Sequence, residues 1–323
     1  MRPLKFHPIL KQTLWGGERI IPYKELASGL SRVGESWELS GMPGSESVVA
    51  EGPWAGSTLS ELIGRFGAEL LGKANYARFG QEFPLLVKFI DAREDLSIQV
   101  HPDDELARKR HGKSGKCEMW YVLEAEPGAS LLTGFSRPIA PAEYERRVAD
   151  NTLTDVLNRQ AIASGDVFYL PAGRVHSIGK GSFIVEIQQS SDITYRIYDF
   201  DRRGAAGNSR ELHTELAREA IDFESSENSR ITYAPENNQE VRLVTTPYFT
   251  TSLYTLTART RCDWSATDSF VAIVLLQGSG SLTDNEGNRI DVRQGETWLL
   301  PASTQWTEIT PHTAPLRLLT SRI

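Results

Sequence analysis

Gly165-Asp166-Val167-Phe168-Tyr169-Leu170-Pro171-Ala172-Gly173-Arg174-Val175-His176 returns 130 positions later as Gly295-Glu296-Thr297-Trp298-Leu299-Leu300-Pro301-Ala302-Ser303-Thr304-Gln305-Trp306. In each copy an apolar run enters a proline and then small residues, the signature of a strand that stops in a tight turn. Repetition at one fixed offset implies two related β units. The expectation is a mainly β chain with the first unit enlarged by helical insertions.

Working outward, short apolar runs dominate: Leu85 to Ile90, Met119 to Leu123, Phe183 to Ile187, Leu253 to Ala258 and Phe270 to Leu276. Gly, Pro and Asp separate them, so a sandwich or small barrel is expected rather than a wound parallel sheet. Helices are predicted over Leu59 to Leu71, where Thr58 and Glu61 form a capping-box pattern, and over Asp104 to His111, between Asp103 and Gly112. Ala142 to Leu157 and Thr214 to Ile221 read as further helix. Glu224 to Glu240 is polar and without periodicity, which places a linker there. The expected domains are residues 1–230 and residues 231–323.

The chain has 323 residues, a net charge of -7, 40% hydrophobic and 24% charged residues, an ordinary globular balance. The sequence pI of about 5.5 provides no basic field for a phosphate backbone, so nucleic acid is not an expected partner. The apolar run Phe270 to Leu276 is far short of the ~20 residues of a membrane span. Neither a membrane association nor a secretory leader is expected. Two cysteines, Cys117 and Cys262, are too few for a disulfide framework, which fits a cytoplasmic protein.

Six histidines are present. Gln99 and His101 lie two apart and share one face of a strand, as do Lys116 and Glu118. With His176 after the Pro-Ala-Gly turn, Gln99, His101 and Glu118 form a mixed N/O donor set suited to Zn²⁺ or a similar divalent ion. On spacing alone, a lone strand histidine is more often a half-buried, hydrogen-bonded residue than a metal ligand. His7, His111, His213 and His312 read as surface or structural residues.

Gly165-x5-Pro171-x-Gly173-x2-His176 resembles the second motif of the cupin superfamily, and Gln99 to His101 with Glu118 resembles the first. Gln99-Val100-His101-Pro102-Asp103-Asp104, Lys116-x-Glu118, Trp15-Gly16-Gly17 and Glu186-Ile187-Gln188-Gln189-Ser190-Ser191-Asp192-Ile193-Thr194-Tyr195-Arg196 are similar to class I mannose-6-phosphate isomerases of the short bacterial form. The resemblance implies two cupin (jelly-roll) domains and one zinc ion per chain held by Gln99, His101, Glu118 and His176. It also implies a phosphorylated hexose substrate, an active-site Arg196 and Lys116, and Lys88 and Ser97 near the substrate. Asp192 and Asp199 are expected to orient Arg196 or its loop. The longer family members carry a Tyr-x-Asp-x-Asn-His-Lys-Pro-Glu run where this chain has Gly112 to Glu118. The implied reaction removes a proton from C2, passes through a cis-enediol and returns a proton at C1. A cupin iron oxygenase and a non-catalytic sugar-binding bicupin are the alternatives. The second unit is expected to bind no metal, with Trp306 standing where the first has His176 and, together with Trp298, filling the barrel.

Overall fold

A computed structural model describes residues 1–203, 207–224 and 228–323. The fold is mainly β, built from two pairs of antiparallel sheets. A seven-stranded sheet runs in the order Arg230–Ile231, Val167–Leu170, Glu118–Ala125, Ser182–Gln189, Leu85–Ala92, Ile9–Gly17, Val33–Leu39. It faces a five-stranded sheet in the order Leu157–Ala161, Ser130–Phe135, His176–Ile178, Ile98–Val100, Tyr195–Tyr198. The second pair joins a six-stranded sheet centred on Val271–Gln277 to a four-stranded sheet comprising Thr260–Asp263, Trp306–Pro311, Ser279–Asp284 and Arg289–Arg293.

Strand parity divides the seven-stranded sheet between two cores. Leu85, Val87, Phe89, Met119, Tyr121, Phe183, Val185 and Ile187 face the six-stranded sheet and pack with Phe249, Phe270, Ala272, Val274, Leu299 and Leu319. Ile90, Trp120, Val122 and Ile184 point the other way, into the first sheet pair. The inward positions also carry Lys88, Glu118 and Glu186, each under 10% exposed. Strands buried on both faces need no alternation of apolar and polar residues, so their polar inward residues stand out.

Most expected elements form. Asp103 caps Asp104–His111 through Leu106 N at 2.8 Å, and Gly112 ends it in the left-handed conformation. The capping box at Thr58 and Glu61 is present, but the helix stops at Phe66 because Gly67 adopts φ 48°, and a separate turn covers Ala68–Leu71. Likewise Ala142 to Leu157 is not one helix. It ends at Ala149, Asn151 takes φ 54°, a short 3₁₀ turn follows, and Leu157 already belongs to a strand. Of the polar stretch Glu224 to Glu240, residues 225–227 lie outside the described residues. Arg230–Ile231 adds an edge strand to the seven-stranded sheet, and Asn237 bridges Thr255.

The repeat is offset in one respect. Gly173 makes its turn at φ 86°, whereas Ser303 is not left-handed. The strand after each turn therefore starts on a different face. His176 is 1% exposed, but Trp306 is only half-buried, with the Arg261 guanidinium 4.2 Å above its ring. Thr307 takes the inward position and accepts from Trp264 Nε1 at 3.0 Å. Trp298 and Trp264 fill this interior, and Trp306 does not, contrary to the sequence expectation.

Candidate metal centre

The five-stranded sheet places one row of side chains across its inner face. Arg196 pairs in register with Gln99, Gln99 with His176, and His176 with Thr133. Glu118 arrives from the opposite sheet. It begins a strand after a segment held by Lys116 N donating to Pro102 O at 3.1 Å and by Cys117 N donating to Gln189 Oε1 at 2.9 Å. Gly115 is required just before, since a Cβ there would meet the Asp103 carbonyl carbon at 2.5 Å.

His101, Glu118 and His176 thus converge, their ligand atoms all within 4.8 Å of one another. Glu118 Oε2 lies 3.5 Å from His101 Nε2, and Oε1 lies 3.2 Å from His176 Nε2. Each imidazole uses its other nitrogen on a carbonyl: His101 Nδ1 on Ile193 O and His176 Nδ1 on Arg174 O, both at 2.8 Å. Those bonds fix the tautomer that leaves Nε2 as an acceptor, the arrangement metal-binding histidines use. Gln99 Nε2 sits 3.2 Å from His176 Nε2, and a half turn of the amide brings its oxygen there instead.

The electrostatics fit a cation. Among the described residues His101 Nε2 and Glu118 Oε1 are buried without a hydrogen-bond partner, and Oε2 has the ion-pair contact of Lys116, a costly state that a bound ion relieves. Burial pushes the His101 pKa down to about 4, with Lys116 adding to the effect. Burial lowers His176 as well. Glu118 would be raised by burial, but Lys116, His176 and His101 together hold it well below the usual carboxylate range. The site therefore presents two neutral imidazoles and one carboxylate, a donor set fit for a divalent ion.

Behind the triad runs a file of alternating charges. Lys116 Nζ contacts Glu118 at 2.8 Å and Glu186 at 3.9 Å; Lys88 Nζ contacts Glu186 at 2.9 Å and Glu35 at 3.9 Å. Burial lowers the Lys88 ammonium pKa, but Glu186 and Glu35 outweigh it and raise the group above its ordinary value. Lys88 is thus a buried charge rather than an exposed lysine. Trp120 Nε1 donates to Glu186 Oε2 at 3.0 Å, and Trp37 Nε1 to Glu35 at 2.6 Å. Glu35 opens onto a cleft of about 550 Å³ lined by Gln12, Thr13, Leu14, Trp15, Arg32, Glu35 and Arg210.

Ser97 is buried with Oγ 3.4 Å from Gln99 Oε1. Arg196 stands beside Gln99, Nη1 donating to the Glu211 carbonyl at 2.9 Å. Asp192 orients neither Arg196 nor its strand, being exposed and paired with Lys113 at 2.9 Å. Asp199 holds Arg202 and Arg210 instead of Arg196. Sequence reasoning missed Glu35, Glu186 and Arg210 as parts of this region. For Glu186, a lone acid in the apolar run Phe183 to Ile187 was the available signal; Glu35 and Arg210 come from distant segments that only the fold unites.

Among the described residues no helix is long and apolar enough to cross a membrane, and no second cluster of potential metal ligands stands in the other sheet pair.

Comparison with known proteins adds an independent line. The family model described as phosphomannose isomerase type I, catalytic domain, matches residues 4–132. The probable mannose-6-phosphate isomerase GmuF of Bacillus subtilis is 34% identical over 303 residues, 93% of either chain. The mannose-6-phosphate isomerase of Streptococcus mutans is 33% identical over 302 residues, covering 93% of this chain and 92% of the relative. The crystal structure of the Bacillus subtilis mannose 6-phosphate isomerase superposes with a TM-score of 0.90 at 29% identity, covering both chains completely.

Proposed function

We propose that this chain, which belongs to the type I mannose-6-phosphate isomerase family, interconverts mannose 6-phosphate and fructose 6-phosphate with one zinc ion held by Gln99, His101, Glu118 and His176. The observation that carries this reading is the buried His101–Glu118–His176 triad, backed by the charge file Lys116–Glu186–Lys88–Glu35 whose last member lines a cleft. Zinc, when bound, supplies Lewis acidity that offsets negative charge developing on the sugar oxygens.

The chain's own residues do the rest. The carbonyls of Ile193 and Arg174 keep both imidazoles aimed, and burial keeps them neutral. Lys116 touches Glu118 and stands over the donor set, so an ammonium is at hand where protons move between C1 and C2. Arg196, in register with Gln99, brings a planar guanidinium to the oxyanion side of the reacting carbons. Lys88 and Ser97 border the substrate from the two facing sheets. Trp120, edge-on to His176 with ring centroids 5.4 Å apart, limits water beside the donor set, where fixed charges act most strongly.

In this reading each sheet pair is a cupin barrel, residues 1–230 carrying catalysis and residues 231–323 forming a metal-free barrel. The protein acts in the cytoplasm. A coupled assay on the purified, zinc-loaded chain tests the reading: fructose 6-phosphate must form from mannose 6-phosphate, vanish on chelation and return with zinc. Absence of turnover from the loaded protein overturns it in favour of a sugar-binding role, and oxygen uptake with bound iron favours an oxygenase.

A further inference from the structure

Three guanidinium groups converge at one end of the five-stranded sheet. Arg196 belongs to Tyr195–Tyr198, while Arg202 and Arg210 follow it in the chain. Both later arginines grip Asp199: Arg202 Nη2 lies 2.5 Å from Oδ1, and Arg210 reaches Oδ2 through Nε at 2.7 Å and Oδ1 through Nη2. Arg202 also donates to the Asp95 carbonyl. Among the described residues the buried Nε atoms of Arg196 and Arg202 have no hydrogen-bond partner.

One buried carboxylate is too little for three cations. Burial depresses the Arg196 pKa, and the charges of Arg210 and Arg202 add to that effect. Glu211 is 84% exposed, so its carboxylate is screened by solvent and relieves little. Such crowding of like charge favours binding of an anion. Among the three, Arg210 forms part of the cleft wall. Its pair with Asp199 engages Nε and Nη2 and leaves Nη1 outside. Arg32 also lines the cleft, but it is 49% exposed and tied to Glu94. Arg196 stands beside Gln99, at the reacting end.

We propose that Arg210, clamped by Asp199, is the residue by which this cleft selects a phosphorylated sugar. The dianionic phosphate docks on Arg210 at the cleft wall while the far end of the sugar reaches Gln99, His101, Glu118 and His176. The inference rests on the isomerase reading and gives it a specificity determinant. A guanidinium fixed in plane by a carboxylate meets phosphate oxygens without first losing side-chain freedom.

The test uses the zinc-loaded full chain with Arg210→Gln, Arg210→Lys and Asp199→Asn, assayed with mannose 6-phosphate and titrated calorimetrically with the unreactive sorbitol 6-phosphate. Arg210→Gln is expected to raise KM roughly 10- to 100-fold, the worth of hydrogen bonds to a charged group, and to weaken sorbitol 6-phosphate by the same factor. The loss falls on KM far more than on kcat. Arg210→Lys recovers part of it, and Asp199→Asn shifts KM in the same sense. If instead kcat and melting temperature fall together while sorbitol 6-phosphate affinity is kept, Arg210 is merely structural and the proposal is overturned. If the wild-type chain turns over no mannose 6-phosphate, the isomerase reading fails on its own. The calorimetric arm still decides: sorbitol 6-phosphate binding lost in Arg210→Gln supports the subsite, and binding retained refutes it.

Discussion

Lys88 and Glu186 face each other in register across two neighbouring strands, Nζ to Oε1 at 2.9 Å, both shut away from solvent. Glu186 also lies 3.9 Å from Lys116, so one carboxylate serves two buried ammonium groups. Replacing it with the near-isosteric Gln leaves the buried Lys88 with only the 3.9 Å contact to Glu35, while Lys116 keeps Glu118. Glu186→Gln should therefore cost about 3–5 kcal/mol, measured as a lowered urea midpoint, whereas a change below about 1 kcal/mol would show the pair to be solvated.

His101→Ala and His176→Ala should each abolish bound metal and turnover together, because one donor of the set is gone. Metal content by mass spectrometry and the coupled assay are the readouts. Full activity with unchanged metal in both variants would remove the assignment.

Arg196→Lys keeps a positive charge but not the planar fork. The fold and metal content should persist, since among the described residues the guanidinium donates to a single backbone group, the Glu211 carbonyl, while kcat/KM falls about 10²-fold or more. Near wild-type kinetics would exclude direct action of the guanidinium.

One zinc per chain is expected. Trp306 offers an indole N–H and no lone pair, and its half-buried ring lies under Arg261. Trp306→Ala should leave metal content untouched and alter stability little, while Trp298→Ala, in the interior, should cost about 3–5 kcal/mol. Two tightly held zinc ions per chain, found by quantitative metal analysis, would contradict this.

The metal-free protein should lose stability in acid over a defined window. Unfolded His101 takes up its proton near pH 6.5, but in the folded state burial delays that until about 4. The unfolded chain thus binds more protons in between, and stability falls as pH drops from about 6.5 toward 4. His176 and Glu118, also lowered, act in the same sense. Melting temperatures of chelated protein across this range would show a fall, and a flat profile would mean the imidazoles are solvated. Zinc should steepen the loss, since protons compete for the same nitrogens.

Much of the region was legible because the chemistry sits at fixed short spacings. Gln99 with His101, and Lys116 with Glu118, are pairs two residues apart whose shared face follows from strand geometry. The repeat located the paired sheets, but not the inward face after the second turn. There the change from Gly173 to Ser303 alters the backbone, and a shift of one residue exchanges the two faces of a strand. Helix ends at Gly67 and Asn151 escaped for a similar reason, since one left-handed residue interrupts an otherwise helical pattern. Glu35 and Arg210 carry no local signal, because their position by the cleft depends on strand order in the assembled sheets.

Leu4–Lys5 pairs with Thr297–Leu300 at the edge of the six-stranded sheet, so a strand near the start of this sequence waits for a partner nearly 300 residues further along. The sheet edge cannot close until Thr297–Leu300 has been synthesised, and the apolar faces around Phe89 and Phe183 wait uncovered until then. Contacts of such long sequence separation fold slowly and leave a nascent chain open to aggregation. A chain stopped near residue 230 would keep every candidate zinc ligand and still emerge as a chaperone client, with one broad apolar face bare.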